Sequence, residues 1–401
     1  MNSKKTICFF IFGTGAANGG HYRSLQMISE ALLIKYDVII INMGYTYSDI
    51  IKSSIIKSYF VFFNGINIIN AINKTKKIFE NVNINFLHAF DYNSYLFVRI
   101  LSQKIKIPYF MTKCGGPTPK GYFPYVSSLV LFSNEDYNYF MNNSKYKNSS
   151  IVLLPNRMKQ FSLDKKKIAK LKDDYSLLNK IVLLRICRIC SFYYQSLIQS
   201  INLVNELSKC SDNNVKLLII GNIQDQKIYE KIKIIEEHSD NVIIITDKDY
   251  TNNAKEIIGV ADIVIGTGRG FMEACSQSKI MMVPANNSKY PVLITKDNFN
   301  IAFEKNFSER VSFNENEISK NFNKIKKCID NKELFEKTKI DSLEWYNYYF
   351  SLDNAIEDYY QMYEKSTFKK DKCFDVFFHC FFFIRKNVGA WYRMINTPKV
   401  N

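Results

Sequence analysis

The sequence lacks any long apolar run and contains few histidines. None of its 401 residues lies in an apolar stretch of the roughly 18 residues that a membrane-spanning helix needs, so no such helix is predicted. Only 4 histidines are present, which argues against enzyme chemistry that uses several histidines as acids and bases. No internal repeat of a fixed short period is visible.

The 9 cysteines show no pattern of a disulfide framework. Their number is odd and their spacing irregular, as expected for reduced thiols in a cytoplasmic protein. Cys187 and Cys190 form a C-x-x-C pair, but no second pair or histidine cluster accompanies it. No metal site is therefore predicted, and the two cysteines are interpreted as small buried side chains.

Positive charge exceeds negative charge, because 54 Lys and Arg face 38 Asp and Glu and give a net charge of +16. Two explanations remain open. The chain is rich in Lys, Asn, Ile, Tyr and Phe, so the lysines can reflect a biased composition, or the charge can attract anionic partners. Because the charge is spread along the chain, nucleic acid is not predicted as a partner.

The length predicts two to three domains. The N-terminus has the order of a signal peptide, but its apolar run, Ile7–Phe12, is short and leads directly into a Gly-rich turn, Gly13–Gly20. We interpret this run as a first strand.

Short apolar runs alternate with amphipathic segments along most of the chain. The runs show no strict alternation of polar and apolar residues, as expected for parallel strands covered on both faces. This order predicts a doubly wound α/β fold. A polar, Lys-rich segment, Lys159–Leu178, is predicted to link two such domains, and the pattern turns helical from Glu315 onward.

One stretch carries the clearest chemical signal. A predicted strand, Ile263–Ile265, is followed by a turn with Gly266, Gly268 and Gly270 and then by a short helix that contains Glu273. The unpaired amides and the dipole at such a turn suit a phosphate, and a carboxylate one turn further on can accept hydrogen bonds from sugar hydroxyls. The Gly-rich turn before His21 predicts a second ligand contact in the first half of the chain.

The last 36 residues differ from the rest. Residues 366–401 hold seven Lys and Arg against Asp371 and Asp375, a net charge of +5, together with many aromatic residues. This composition is typical of a helix that lies in the headgroup layer of an anionic membrane. A helix that docks on the first domain and buries the same aromatic side chains is the alternative. The basic residues are Lys369, Lys370, Lys372, Arg385, Lys386, Arg393 and Lys399, and the aromatic ones include Phe374, Phe377, Phe378, Phe381, Phe382, Phe383, Trp391 and Tyr392.

The ordered motifs from Ile7 to Tyr360 resemble those of GT-B glycosyltransferases, and within them the large retaining group called family 4. The resemblance rests on the following matches: Gly19-Gly20-His21 with Ser24, Pro155-Asn156-Arg157, Arg188-Ile189, Leu217–Gly221, Asp262–Val283 with Glu273-Ala274, and a final helix near Leu352–Tyr363.

The resemblance implies two Rossmann-like doubly wound domains facing a cleft, with C-terminal helices crossing back to the first domain. Residues 1–160 would form the acceptor domain, 175–345 the donor domain and 346–365 the return helix, with 366–401 as the basic aromatic tail. It also implies transfer of a sugar from a nucleotide-sugar donor to a saccharide or lipid-linked acceptor, with retention and without a metal or other cofactor, because positive groups stabilise the departing diphosphate.

The implied catalytic residues are Arg188, Glu273 and Lys113, the last where the family carries a histidine. The family's second glutamate is replaced by Ile265, and its lysine after the arginine by Tyr193 and Tyr194, so that Arg185 or Arg269 would supply the missing charge. The implied donor-binding residues are Gly266, Gly268, Arg269, Gly270, Phe271, Glu273, Arg188, Arg185, Gly221 and Asn222. The implied acceptor or phosphate-loop residues are Gly19, Gly20, His21, His88, Cys114 and Gly115.

Structural roles stay open for several of these residues. Glu273 can favour the helix dipole, Arg188 can form a salt bridge at the domain edge, and Arg269 can be a solvated surface group. His88 can be a hydrogen-bonded structural histidine, and Asp91 would act as a base only in an inverting enzyme.

Bacterial surface polysaccharide synthesis, such as that of O-antigen or capsule, is the function these features favour. We expect a cytoplasmic protein that is peripheral on the inner face of the plasma membrane. Two alternatives remain: a nucleotide-sugar epimerase of the same fold, which the scarcity of histidines disfavours, and a catalytically degenerate GT-B binding or scaffold protein, which the replaced lysine and glutamate favour.

Overall fold

The computed structural model describes residues 4–13, 15, 17–64, 67–210 and 214–396, with only the backbone described over residues 387–396. Thr14 and Ala16 of the predicted Gly-rich turn and Lys399 of the tail lie outside the described residues, as do the side chains of Trp391, Tyr392 and Arg393.

The chain forms two compact units. The first contains Met1–Arg157 and Leu352–Asn401, and the second contains Met158–Ser351. Each unit is built on its own predominantly parallel sheet, so the predicted α/β class with two doubly wound sheets is confirmed.

Over its described residues, the first unit forms a sheet of seven strands, all parallel. They are β1 Thr6–Gly13, β2 Asp37–Gly44, β3 Lys57–Phe62, β4 Phe86–Ala89, β5 Tyr109–Lys113, β6 Ser128–Leu131 and β7 Ser150–Leu153. Their order in the sheet is β3-β2-β1-β4-β5-β6-β7. The helices between them are α1 Gly20–Leu32, α2 Asp49–Lys52, α3 Ile68–Phe79, α4 Tyr92–Ile105 and α5 Asn134–Met141, with a 3-10 turn at Ser144–Tyr146.

Every residue of β1 is buried, which explains why its sequence is a continuous apolar run. Its side chains alternate between two cores, one on each face of the sheet. Phe10 and its neighbours at alternate positions enter the core beneath α4, whereas Ile7, Phe9 and Ile11 enter the core beneath α1.

The end of the chain completes both cores of the first unit. After α14, Ile356–Glu364, comes α15, Cys373–Asn396. Tyr359 and Tyr363 of α14 are fully buried in the core beneath α1, and Phe383 of α15 is fully buried in the other. The predicted return of the last helices to the first domain is therefore confirmed for the described residues.

The second unit has six strands in the order β10-β9-β8-β11-β12-β13, parallel except for the last pair. The strands are β8 Ile181–Ile186, β9 Val215–Ile220, β10 Val242–Ile245, β11 Ile263–Ile265, β12 Ile280–Val283 and β13 Val292–Leu293. The helices are α6 Lys165–Asp174, α7 Tyr194–Cys210, α8 Gln226–Glu237, α9 Lys248–Thr251, α10 Arg269–Cys275, α11 Phe299–Glu304, α12 Glu315–Asp330 and α13 Lys332–Trp345, with 3-10 turns at Ser191–Tyr193 and Ala254–Val260 and a π turn at Tyr346–Phe350.

The predicted linker Lys159–Leu178 is part of the second unit rather than a free connection. It contains α6, and the backbone N–H of Asp164 donates a hydrogen bond to the carbonyl of Glu256 at 2.9 Å. A side chain on Gly259 would clash with Ile168 of α6, so the helix packs closely on the second unit. The Lys-rich composition reflects the solvated face of this helix.

Candidate functional site

Each sheet has one position where the strand order reverses direction, and ligands of open α/β sheets bind beside such a position, at the carboxyl ends of the strands. In the second unit it lies between β8 and β11. Arg188 follows β8 and Gly266 follows β11, so two of the predicted donor-binding elements flank this position. Gly221 and Asn222 follow β9, the neighbour of β8.

Arg188 is exposed at this edge. Its guanidinium carbon lies 5.5 Å from the centre of the Tyr193 ring, and Nη1 donates a 3.5 Å hydrogen bond to Oε1 of Gln224. Among the described residues it has no carboxylate partner. The predicted alternative of a salt bridge is thus not found there, and the full positive charge can meet an anion.

Gly221 and Asn222 lie against the Arg188 segment. A Cβ atom on Gly221 would be 1.7 Å from the carbonyl oxygen of Cys187, so only glycine allows the two loops to approach. The carbonyl of Asn222 accepts the N–H of Ile189 at 2.9 Å, and the Asn222 side chain is exposed. Gly221 is required for packing, and Asn222 is the member of the pair that a ligand can reach.

The Gly-rich turn after β11 is tight, and two of its amides are already used. Gly268 has a φ of +48°, which favours glycine, and a Cβ on Gly266 would lie 2.8 Å from the backbone of Phe271. Gly266 donates its N–H to the carbonyl of Met282 at 2.9 Å, and Gly270 donates to that of Thr267 at 3.0 Å. The prediction of unpaired amides is therefore wrong for Gly266 and Gly270.

Arg269 and Glu273, one turn apart on α10, form an ion pair. Nε of Arg269 donates to Oε1 of Glu273 at 2.8 Å, and both side chains are only slightly exposed. Neither the solvated Arg269 nor the lone Glu273 of the sequence analysis is found, because each residue neutralises the other. A ligand that contacts either charged group at this turn has to compete with this ion pair.

Arg185 and Phe271 are fully buried and do not face a ligand, so their predicted donor contacts are wrong. Arg185 donates to the carbonyl of Ile265 at 3.1 Å, to Oγ of Ser196 at 3.0 Å and to Oε1 of Glu309 at 2.7 Å. Phe271 stacks on Phe307 with ring centres 3.8 Å apart. Arg185 therefore positions the end of β11 instead of binding phosphate itself.

Glu309 is the site residue that the sequence analysis missed. Burial raises the pKa of its carboxyl, and the positive charge of Arg185 opposes that rise. It follows α11, 124 positions after its partner, and no local motif marks it. Only the contact between distant segments reveals it.

The first unit also gathers predicted residues where its strand order reverses, between β1 and β4. Gly19 precedes α1, and Gly20 is the first residue of that helix. His21 packs against Tyr22, with ring centres 4.1 Å apart, as a helix-start residue would. Asp91 accepts the N–H groups of Phe12 at 2.6 Å and Ser94 at 2.8 Å, so it joins the end of β1 to the start of α4.

His21 and Asp91 interact electrostatically. Burial lowers the pKa of His21 and the negative charge of Asp91 opposes this, while burial raises the pKa of Asp91 and its hydrogen bonds and His21 oppose that. The two residues belong to one polar group at the end of β1.

His88 does not reach a ligand. It is fully buried, Nδ1 is 2.6 Å from the hydroxyl of Tyr363, and Nε2 is 2.8 Å from Oγ1 of Thr112. Burial lowers its pKa to about 3. The structural alternative for His88 is correct, and its predicted place in the acceptor loop is wrong: it joins α14 to the sheet.

The side chain of Lys113 is held by residues of the loop that follows β5 and of α5. Its Nζ lies 2.7 Å from Oδ2 of Asp136 and donates to the carbonyls of Gly115 at 3.0 Å and Pro117 at 3.2 Å. This arrangement contradicts a free catalytic cation. Cys114 donates to the carbonyl of Phe90 at 3.3 Å, and burial raises the pKa of its thiol, so it is a structural residue as well. Gly115 has a φ of +106°, which the turn requires.

Within the part of the chain that the structure describes, no group of three or more His, Cys, Asp or Glu side chains is placed to hold a metal ion. No protein-family model matches the sequence, and no curated protein matches it significantly.

Solved structures are similar to this chain over most of its length. A glycosyltransferase from Rickettsia africae is 17% identical with a TM-score of 0.66, covering 90% of this chain and 98% of its own. Anabaena HepE in complex with UDP-glucose is 12% identical with a TM-score of 0.64, covering 90% and 100%. Sucrose-phosphate synthase from Thermosynechococcus elongatus is 10% identical with a TM-score of 0.61, covering 90% and 99%. The chain therefore has the GT-B fold that these structures share.

Proposed function

We propose that this protein is a glycosyltransferase that moves a sugar from a nucleotide-sugar donor to a saccharide acceptor. The observation that carries the proposal is the similarity of fold over 90% of the chain to a structure that holds UDP-glucose. The arrangement at the edge of the second sheet supports it, because Arg188, which has no carboxylate partner among the described residues, stands where open α/β sheets bind ligands.

In this proposal the donor diphosphate lies against Arg188. Negative charge grows on the diphosphate as its bond to the sugar breaks, and a fixed guanidinium stabilises that charge by two parallel hydrogen bonds. Tyr193 holds the guanidinium from one side, since its ring lies 5.5 Å from the guanidinium carbons of both Arg185 and Arg188. Arg185 acts indirectly: its hydrogen bonds to Ile265 and Glu309 hold the carboxyl end of β11 in place at the same edge of the sheet.

Glu273 and Arg269 exchange partners when the donor binds. The carboxylate of Glu273 accepts hydrogen bonds from hydroxyl groups of the sugar or ribose, and the released guanidinium of Arg269 turns to phosphate oxygens. Both charged groups therefore keep hydrogen-bond partners, which avoids leaving a slightly exposed charge without any polar contact. The exchange couples recognition of the sugar to recognition of the phosphates.

The finer parts of the proposal concern the acceptor and the stereochemistry. We propose retention, with an oxygen of the leaving phosphate taking the proton from the acceptor hydroxyl, and no metal ion. The acceptor is a lipid-linked saccharide of a bacterial surface polysaccharide, and the enzyme works at the inner face of the membrane. The group around His21 and Asp91 in the first unit is the acceptor side of this proposal.

A thermal-shift panel with UDP-, GDP- and TDP-sugars tests donor binding, because a ligand that binds the folded protein raises the melting temperature, and more so at higher affinity or concentration. We expect one nucleotide class to raise the melting temperature and to donate labelled sugar to bacterial membrane extracts. A panel without any shift, combined with no transfer from any donor, would contradict the proposal.

A binding protein of the same fold is the second candidate. The Arg269–Glu273 ion pair favours it, because the turn is already neutral without a ligand. A thermal shift with a nucleotide sugar, but neither transfer nor hydrolysis over a day, would select this candidate.

A further inference from the structure

The helix α15 presents two different faces. Phe383 and His379 are fully buried against the first unit, whereas Phe374, Phe377, Phe381 and Ile384 are 69%, 68%, 52% and 47% exposed. The spacing of these four residues, three, four and three positions, places them in one row along the helix. We call these four side chains the apolar stripe. The helix docks on the first unit, as the alternative for the tail expected, and it also exposes aromatic side chains.

The docked face fixes the orientation of the helix. Arg99 of α4 donates from Nε to Asp371 at 2.5 Å, and the Tyr109 hydroxyl donates to the other oxygen of Asp371 at 2.6 Å. Phe382 stacks on Tyr122 with ring centres 4.3 Å apart. These contacts hold α15 along the surface of the first unit, so the apolar stripe cannot turn inward without breaking a buried ion pair.

Positive charge borders the apolar stripe. Lys369, Lys370 and Lys372 precede the helix, Arg385 adjoins Ile384, and all four side chains are exposed. The amide of Gln103 donates to the carbonyl of Lys369 at 3.2 Å and accepts the N–H of Asp371 at 3.1 Å, which anchors the lysine segment beside α4. Lys104 and Lys106, on the same end of α4, add two further exposed cations.

This arrangement points to one kind of partner. A row of large exposed apolar side chains with lysines next to it in the chain matches a helix that lies in a membrane interface, with apolar groups in the acyl boundary and cations at anionic headgroups. None of the helices in the described part of the chain is long and apolar enough to cross a membrane. The contact that we consider for the apolar stripe is one with a membrane surface.

We propose that the apolar stripe of α15 and the lysines at 369, 370 and 372 form the surface by which this protein binds anionic lipid bilayers. The inference deepens the membrane part of the proposed function and rests on it. It assigns the contact to the exposed face of a docked helix, and so fixes which side of the first unit faces the bilayer.

Sedimentation with vesicles tests the surface. The full chain is mixed with vesicles of phosphatidylcholine alone and of phosphatidylcholine with phosphatidylglycerol. We expect binding to the anionic vesicles, and at least a tenfold loss in the variant Phe374→Ser, Phe377→Ser, Phe381→Ser. A matched variant, Ile34→Ser, Ile55→Ser, Ile69→Ser, removes three similarly exposed apolar side chains elsewhere in the first unit and should bind within twofold of the wild type.

A charge variant, Lys369→Gln, Lys370→Gln, Lys372→Gln, tests the contribution of the three lysines to vesicle binding. Each lysine near an anionic surface contributes about 1 kcal/mol, so three predict about a hundredfold weaker binding to anionic vesicles. Unchanged binding of either surface variant, or no binding of the wild type to anionic vesicles, would overturn the proposal. So would a change from dimer to monomer in the Phe variant without a change in vesicle binding, because the stripe would then cover a second copy of the chain.

Failure of this inference is distinguishable from failure of the proposed function. The surface variants lie in the first unit and the predicted donor contacts in the second. Thermal shifts by nucleotide sugars should therefore be equal in the wild type and in all three variants. Loss of vesicle binding with a preserved nucleotide shift supports the inference, and a preserved nucleotide shift with unchanged vesicle binding rejects the inference alone.

Discussion

Arg99 and Asp371 form a buried ion pair across 272 positions of sequence, with Nε and Oδ2 2.5 Å apart. The two side chains are almost completely inaccessible to solvent. The carboxylate also accepts the hydroxyl of Tyr109, so both of its oxygens have partners. This pair binds the segment before α15 to α4 and to the sheet.

Asp371→Asn should strongly destabilise the first unit, because it leaves the buried guanidinium of Arg99 without a counter-charge. Loss of one partner of such a pair costs about 3–5 kcal/mol of unfolding free energy. Urea denaturation followed by fluorescence measures the change. Asp375→Asn removes the same charge four positions later, at a carboxyl that is not fully buried, and should cost less than about 1 kcal/mol. Equal losses in the two variants would show that the buried pair has no special role.

His379→Phe should stabilise the protein, most of all in mild acid. The ring is fully buried beside Tyr95 and Tyr92, and neither of its nitrogens has a hydrogen-bond partner among the described residues. Burial, together with the positive charges of Arg99 and Lys145, lowers its pKa to about 3. The folded protein keeps this ring neutral, whereas the unfolded chain binds a proton below the ordinary pKa of about 6.5. The free energy of unfolding therefore decreases as the pH falls from about 6.5 towards 3.

Between pH 7 and pH 5 the wild type should lose about 2 kcal/mol more unfolding free energy than His379→Phe. Urea titrations at the two pH values measure this difference. His238→Phe, at an exposed histidine, should keep the pH dependence of the wild type. If His379→Phe and the wild type respond equally to pH, the buried ring does not titrate as described.

Arg188→Ala should weaken nucleotide binding. A hydrogen bond to a charged group contributes about 1.5–3 kcal/mol, so the dissociation constant of the nucleoside diphosphate should rise by about tenfold to a hundredfold. Titration calorimetry with UDP, or with the nucleotide found in the panel, gives the constants. Lys209→Ala removes an exposed cation at the far end of α7 and should leave them unchanged. Equal affinity of Arg188→Ala and the wild type would exclude Arg188 from the diphosphate site.

Glu273→Gln and Arg269→Ala break the same ion pair and should differ in effect. If the carboxylate contacts donor hydroxyls, Glu273→Gln should weaken nucleotide-sugar binding at least tenfold and lower the rate of transfer. Arg269→Ala keeps the carboxylate and should mainly weaken the binding of the nucleoside diphosphate. Steady-state kinetics with the sugar donor and calorimetry with the free nucleotide separate the two. Identical profiles would mean that only the ion pair matters.

The fold could be predicted because its signals are local. The run Ile7–Phe12 is apolar at every position because β1 is covered on both faces, and the helix Glu315–Asp330 lies where the pattern turns helical. The site could be predicted only in part. Arg188 lies after a strand and is exposed, as its assignment from the family resemblance requires, whereas the burial of Arg185 depends on Glu309, 124 positions away.

Two further residues show the same limit. The role of His88 depends on Tyr363, 275 positions later, and Lys113 is neutralised by Asp136 of α5, the next helix in the chain. In each case the residue type at a strand end was consistent with ligand binding. The residue that forms a hydrogen bond or an ion pair with it belongs to another secondary-structure element. Such long-range pairing leaves no periodic signal in the sequence.

The first unit has a consequence for how the protein is made. Its sheet is assembled from the first 157 residues, but Tyr359, Tyr363 and Phe383 fill its two cores. A ribosome that synthesises the chain from its N-terminus must therefore translate all 194 residues of the second unit, Met158–Ser351, before these three aromatic residues are made. During that interval the nascent first sheet has an incomplete apolar surface, so its packing can finish only after translation has passed the second unit.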